Sequence, residues 1–195
     1  MPEAPLEDAG SGLKPVGEGW FVVNVRDAQW LTSEKQSGAR ESSGDEQRTI
    51  TSGAECLFES GEVEFPQFGI RLHVLQPGER NGLYHGENQQ EDFLVLSGEC
   101  LFLVEGEERR LGPWDFVHSP AWTEHIFVGA GDGPCVILMV GGRSEDWQVR
   151  YPVSEFASRY DASSAEDTSD PDQAYVQFTR SRRERPSYWD QLPWA

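Results

Sequence analysis

The hydrophobic residues of this chain crowd into its middle. Between Phe65 and Gly141 short apolar runs alternate with turn-forming residues, whereas both ends and the segment 32–48 are polar. Residues 69–76 (GIRLHVLQ) alternate apolar and polar positions, the period of a strand with one covered face, and end at Pro77 and Gly78. Residues 92–96 form a continuous apolar run stopped by Ser97 and Gly98. Residues 100–104 meet a hairpin turn at Glu105 and Gly106 and return through 108–111. The rhythm continues through 115–118, 125–128 and 135–140, separated by Gly- and Pro-bearing breaks. Short strands with turn signals and no long amphipathic helix predict an all-β domain. Strands apolar on both faces need cover on both sides, which a barrel or sandwich supplies. No internal repeat appears, so one barrel is expected.

Outside this core the pattern loosens. Residues 1–19 are rich in Pro, Gly and acidic side chains and are expected to be a flexible segment. Residues 20–25 read as a first strand, 32–48 (TSEKQSGARESSGDEQR) as a mobile polar loop, and 49–59 as a further strand. After Gly142 the character changes. A short helix is expected within 152–160, an acidic linker at 161–173, and a strand at 174–179. The aromatic end, YWDQLPWA, is expected to dock on its own barrel or on a neighbouring subunit. The expected organisation is a flexible segment 1–19, a β-barrel 20–142 with its motif core at 65–142, and a C-terminal extension 143–195.

Charge narrows the function classes. The chain has 34 acidic residues against 16 basic ones, a net charge of −18. That excess repels a phosphate backbone, so no nucleic-acid partner is expected. The cluster Arg180, Arg182, Arg183 and Arg185 reads as a solvated tail or as a partner for the chain's own acidic surface. Three cysteines without CxxC spacing argue against a disulfide framework or a zinc knuckle. No apolar run approaches the roughly 18 residues of a membrane span, and no signal pattern follows Met1, so a cytoplasmic protein with no membrane partner is expected. Neither a phosphate-binding Gly-rich loop nor a GxSxG elbow is present.

The chemistry concentrates in 77–98 (PGERNGLYHGENQQEDFLVLSG) and in SPAWTEHIFVG around His125. Residues two apart on a strand share a face, so His85 and Glu87 can point at one spot. Glu91 and His125 join them if the strands curl around an interior. Two imidazoles and two carboxylates would then form a divalent-metal site; the alternative is a buried polar network. Tyr84, Phe93, His118, Trp122 and Phe127 are candidates for lining the pocket, with core packing as the alternative for Phe127. His73 reads as a structural histidine, and His118 as the first substitute should Glu87 not ligate.

These spacings resemble the cupin family. Its first motif runs Gly, His-x-His, three or four residues, Glu, six residues, Gly; here Glu91 and Gly98 keep the six-residue gap, and three residues separate Glu91 from position 87. Its second motif runs Pro, x, Gly, two residues, His; here Pro120 and His125 hold those places, with Trp122 where the family has Gly. Two further departures are Glu87 in place of the second histidine and Gly78 one residue too far from His85. The resemblance covers about residues 65–142. It implies a single double-stranded β-helix (jelly-roll) barrel, with His85, Glu91 and His125 as metal ligands and Glu87 in the fourth ligand place. Such a donor set suits a divalent ion: Fe, Mn, Ni or Zn. The implied function is a metal-dependent enzyme of dioxygenase, isomerase or decarboxylase type acting on a small molecule, with Glu87 either completing the shell or serving as a catalytic base. The alternative is a non-catalytic ligand-binding or sensing module, because one fold hosts many functions. Cupins of one barrel commonly pair, so a homodimer is expected.

Overall fold

The alternating run at 69–76 becomes a central strand of the largest sheet. The computed structural model describes residues 1–33, 52–176, 178 and 181–195. In chain order the elements are β1 (Leu6–Asp8), β2 (Leu13–Pro15), β3 (Gln29–Thr32), β4 (Ala54–Leu57), β5 (Phe68–Leu75), β6 (Gly86–Glu87), β7 (Glu91–Ser97), β8 (Glu99–Val104), β9 (Glu107–Leu111), β10 (Phe116–Ser119), β11 (His125–Ala130), β12 (Cys135–Gly142) and β13 (Val149–Arg150). Two one-turn helices follow, α1 (Glu155–Ser158) and α2 (Pro171–Ala174). The fold is all-β, with every ladder antiparallel.

Two sheets carry the core. A six-stranded sheet runs β10-β7-β12-β5-β4-β3, and a three-stranded sheet runs β11-β8-β9. Their inner faces meet in one apolar cluster: Leu75, Phe93, Val95, Ile137 and Met139 from the larger sheet touch Phe102 and Phe127 from the smaller. Among the described residues no sheet closes into a barrel. The turns follow backbone chemistry. Glu105 (φ 48°) and Gly106 (φ 78°) form the two-residue left-handed turn that matches strand twist between β8 and β9. Gly98 (φ 72°) joins β7 to β8 where a Cβ would lie 2.3 Å from the Pro134 carbonyl oxygen, so a side chain cannot fit.

The ends carry more structure than their composition predicts. In the N-terminal segment β1 pairs with β2, and the Leu13 amide donates to the Asp27 carbonyl. Residues 20–25 do not form the expected strand; the first strand of the large sheet is β3 instead. Asn24 turns the chain by accepting the amides of Asp27 and Ala28, and Val23 and Val25 pack beside Trp30 rather than pairing. Trp30 is fully buried and meets Trp189 and Trp194, so the aromatic tail docks on its own chain. The expected strand at 174–179 is replaced at its start by α2, because the Asp170 side chain caps the Asp172 amide and Pro171 occupies the first helical turn. The helix expected within 152–160 is α1, capped by Ser154. The polar loop from residue 34 on, the start of the strand at 49–51, and Arg180 lie outside the described residues. All three cysteines are free and buried. No helix among the described residues is long and apolar enough to cross a membrane.

Candidate metal centre

Two strand ends bring the histidines together. His85 and His125 form an antiparallel bridge, the His125 amide donating to the His85 carbonyl at 2.8 Å and the His85 amide to the His125 carbonyl at 3.2 Å. Partners across such a bridge project to the same side, and the two ring centroids lie 5.2 Å apart. Glu91 opens β7 on the facing sheet, with its carboxylate 3.4 Å from His125 Nε2. Donor atoms of His85, Glu91 and His125 all lie within 4.8 Å of one another, a grouping of metal-ligating size.

Ring orientation fits a cation. His85 Nδ1 lies 2.7 Å from the Leu83 carbonyl oxygen and His125 Nδ1 2.9 Å from that of Thr123. A carbonyl only accepts, so each Nδ1 carries a proton and each Nε2 is the ring nitrogen turned away from that backbone contact. Anchoring the distal nitrogen on backbone is how ligating imidazoles are oriented. Burial lowers the His125 pKa to about 3, and the neighbouring His85 adds to the effect. His125 is therefore neutral near pH 7, the form that binds metal. Two imidazoles and one carboxylate suit a divalent first-row ion.

Glu87 stands beside this group rather than in it. Its Oε1 lies 3.7 Å from His85 Nε2, while its Oε2 accepts the Trp147 indole N–H at 2.8 Å. Phe93 lines the cavity, its ring 5.2 Å from that of His125. The other pocket candidates lie elsewhere. Tyr84 is buried among Leu103, Ile126 and Ala157, because it neighbours His85 and faces the opposite way. His118 is exposed and paired with Asp92 at 2.7 Å. Its neighbour Val117 is the register partner of inward-facing Phe93, so His118 must point outward. Phe127 packs between Phe93 and Phe102 in the core. Trp122 is partly exposed under the Arg150 guanidinium, and its φ of 69° explains why this motif position suits glycine.

The cavity holds about 670 Å³ and reaches beyond the three ligand candidates. Glu55, Arg71 and His73 line its other part, with His73 Nε2 2.5 Å from Glu55 Oε1. Tyr151 and Tyr175 cover it from the C-terminal side: the Tyr151 ring sits 5.7 Å from His85, and the Tyr175 hydroxyl accepts the Leu83 amide. No spacing in the sequence announced these tyrosines. The strand alternation did place Arg71 and His73 on one face.

Comparison with known proteins follows the same stretch. The family model described as the Cupin domain matches residues 71–141. No curated protein matches the chain. Among solved structures, a cupin-superfamily sugar phosphate isomerase of Silicibacter pomeroyi is similar at 30% identity and a TM-score of 0.44, over 47% of this chain and 60% of that one. The chain thus spans less than two thirds of that relative. A cupin-2 domain protein of Rhodospirillum rubrum is similar at 17% identity and a TM-score of 0.49, over 75% of this chain and 85% of that one. The polyketide cyclase RemF of Streptomyces resistomycificus is similar at 18% identity and 0.48, over 60% and 83%. The chain resembles the cupin superfamily, and the resemblance resides in residues 71–141, the stretch that contains His85, Glu91 and His125.

Proposed function

We propose that this protein is a divalent-metal cupin acting on a small molecule inside its cavity, with residues 20–142 forming a double-stranded β-helix and 143–195 an extension that walls one side. His85, Glu91 and His125 would hold the ion. The observation that carries the reading is the pair of backbone-anchored imidazoles, each with Nε2 directed to the side where Glu91 waits. Bound there, Fe, Mn, Ni or Zn would supply Lewis acidity to a coordinated small molecule.

The chain's own groups do the rest. The Trp147 indole fixes one oxygen of Glu87, leaving Oε1 beside the ligand triad as a proton acceptor for a bound molecule. Phe93 and Tyr151 flank the imidazoles and limit water around them. A cytoplasmic homodimer belongs to the same reading: Trp114 and Phe116 are exposed at β10, which among the described residues pairs with β7 alone.

Elemental analysis of purified and of reconstituted protein tests the proposal. Wild type is expected to carry about one equivalent, as one three-donor site allows. The Glu87→Ala variant is expected to keep that metal and lose turnover of any substrate found. Metal-free wild type after incubation with each of the four ions contradicts the reading.

A further inference from the structure

His85 is oriented from outside residues 71–141. Its Nδ1 proton is bound to the Leu83 carbonyl at 2.7 Å, so whatever fixes that carbonyl also fixes where Nε2 points. The same peptide unit carries the Tyr84 amide, which donates to the Ala162 carbonyl at 2.7 Å. One residue earlier, the Leu83 amide donates to the Tyr175 hydroxyl at 3.0 Å. The Leu83 side chain is fully buried with Val149, Tyr151 and Ala174, and Tyr84 clusters with Ala157 and Ala162. These partners all belong to residues 143–195, so the extension grips the Leu83–Tyr84 peptide from both sides.

His125 is built differently. Its Nδ1 meets the Thr123 carbonyl at 2.9 Å, and Thr123 is tied to the Pro120 carbonyl by its amide at 3.1 Å and its hydroxyl at 2.8 Å. That turn is local, so the matched segment orients His125 by itself. For His85 the hydroxyl of Tyr175 has a prepared berth. A Cβ at Gly82 would lie 2.9 Å from that oxygen, and glycine leaves the place open for it. A buried amide deprived of its acceptor is costly, so Leu83 stays where the hydroxyl holds it.

We infer that Tyr175 is a positioning residue for His85: its hydroxyl, with the Ala162 carbonyl, fixes the Leu83–Tyr84 peptide that turns His85 Nε2 toward His125 and Glu91. The consequence for metal binding rests on the proposed function; the orientation of His85 does not.

Nuclear magnetic resonance of the metal-free full chain, in mildly alkaline buffer, reads the ring tautomer of each of its four histidines. Wild type should show His85 and His125 both protonated on Nδ1. Tyr175→Phe removes one oxygen and keeps the ring; it should turn His85 into a mixture of tautomers and leave His125 unchanged. Gly82→Ala displaces the hydroxyl and should do the same, and it serves if Tyr175→Phe fails to fold. Titration with Zn(II) against a chromophoric chelator should show an affinity about tenfold lower in both variants, the low end of the range for outer-shell partners. Trp194→Ala loses packing on Trp30 in a separate cluster. It should lower the thermal midpoint and leave both readouts as in wild type, which separates positioning from general stability. An unchanged His85 tautomer or an unchanged Zn(II) affinity in both site variants overturns the inference, as does an equal shift in Trp194→Ala. A wild type that takes up none of the four ions, while Tyr175→Phe still frees His85, would sink the proposed function and leave the positioning role standing.

Discussion

Two histidine–glutamate pairs face the same cavity and are built in opposite ways. At His125 and Glu91 the imidazole proton sits on Nδ1, given to a backbone carbonyl, and Nε2 stops 3.4 Å from the carboxylate with a second imidazole alongside. At His73 and Glu55 the contact is 2.5 Å through Nε2, and Nδ1 is buried without a hydrogen-bond partner among the described residues. The first pair is held apart, with lone pairs converging on a gap. The second has closed on itself. Residue type is the same in both; what differs is whether the backbone claims a ring nitrogen.

That contrast can be broken most severely at the ligands. His125→Ala is expected to abolish metal retention, a loss beyond the roughly 100-fold seen for outer-shell changes, whereas His73→Ala keeps the metal; elemental analysis of both variants decides. Glu55→Ala is expected to act on stability instead. Removing one partner of a buried charged cluster costs about 3 kcal/mol, readable as a lower urea midpoint with unchanged metal content.

Acid sharpens the difference further. In metal-stripped protein the folded-state pKa of His125 is depressed from 6.5 to about 3, so between these values the unfolded chain binds more protons. Stability therefore rises with pH across this window and falls on acidification, by at most about 1.4 kcal/mol per pH unit from this group. Urea titrations at several pH values should show that slope, and His125→Ala should flatten it. The smallest expected effect is at Trp122. Trp122→Gly relieves a left-handed backbone worth about 1–2 kcal/mol and loses the Arg150 contact, worth about 0.5–1 kcal/mol. The two nearly offset, so its thermal midpoint should stay close to wild type.

Much of this was readable along the chain, because strand alternation and turn residues are local. The strands from β5 to β12 follow the apolar runs, and Glu91, His85 and His125 could be named from spacing. What was not readable depends on which strands meet. His118 looked interchangeable with the other histidines until the β10–β7 register turned it outward. Alternation along 84–85 already separated Tyr84 from His85, a signal that pocket reasoning overlooked. The Glu55–His73 pair needs β4 beside β5, a pairing no motif encodes. Trp147, Tyr151 and Tyr175 come from a stretch with little hydrophobic pattern, so their covering of the cavity follows from tertiary packing alone. The N-terminal hairpin was missed because polar composition hides local backbone pairing.

The most direct measurement is an anomalous difference map from crystals of protein reconstituted with one of the four ions, collected at that metal's absorption edge. The account predicts a single strong peak bounded by His85 Nε2, His125 Nε2 and the Glu91 carboxylate. A peak between His73 and Glu55, or no peak at the triad in fully reconstituted crystals, would contradict it.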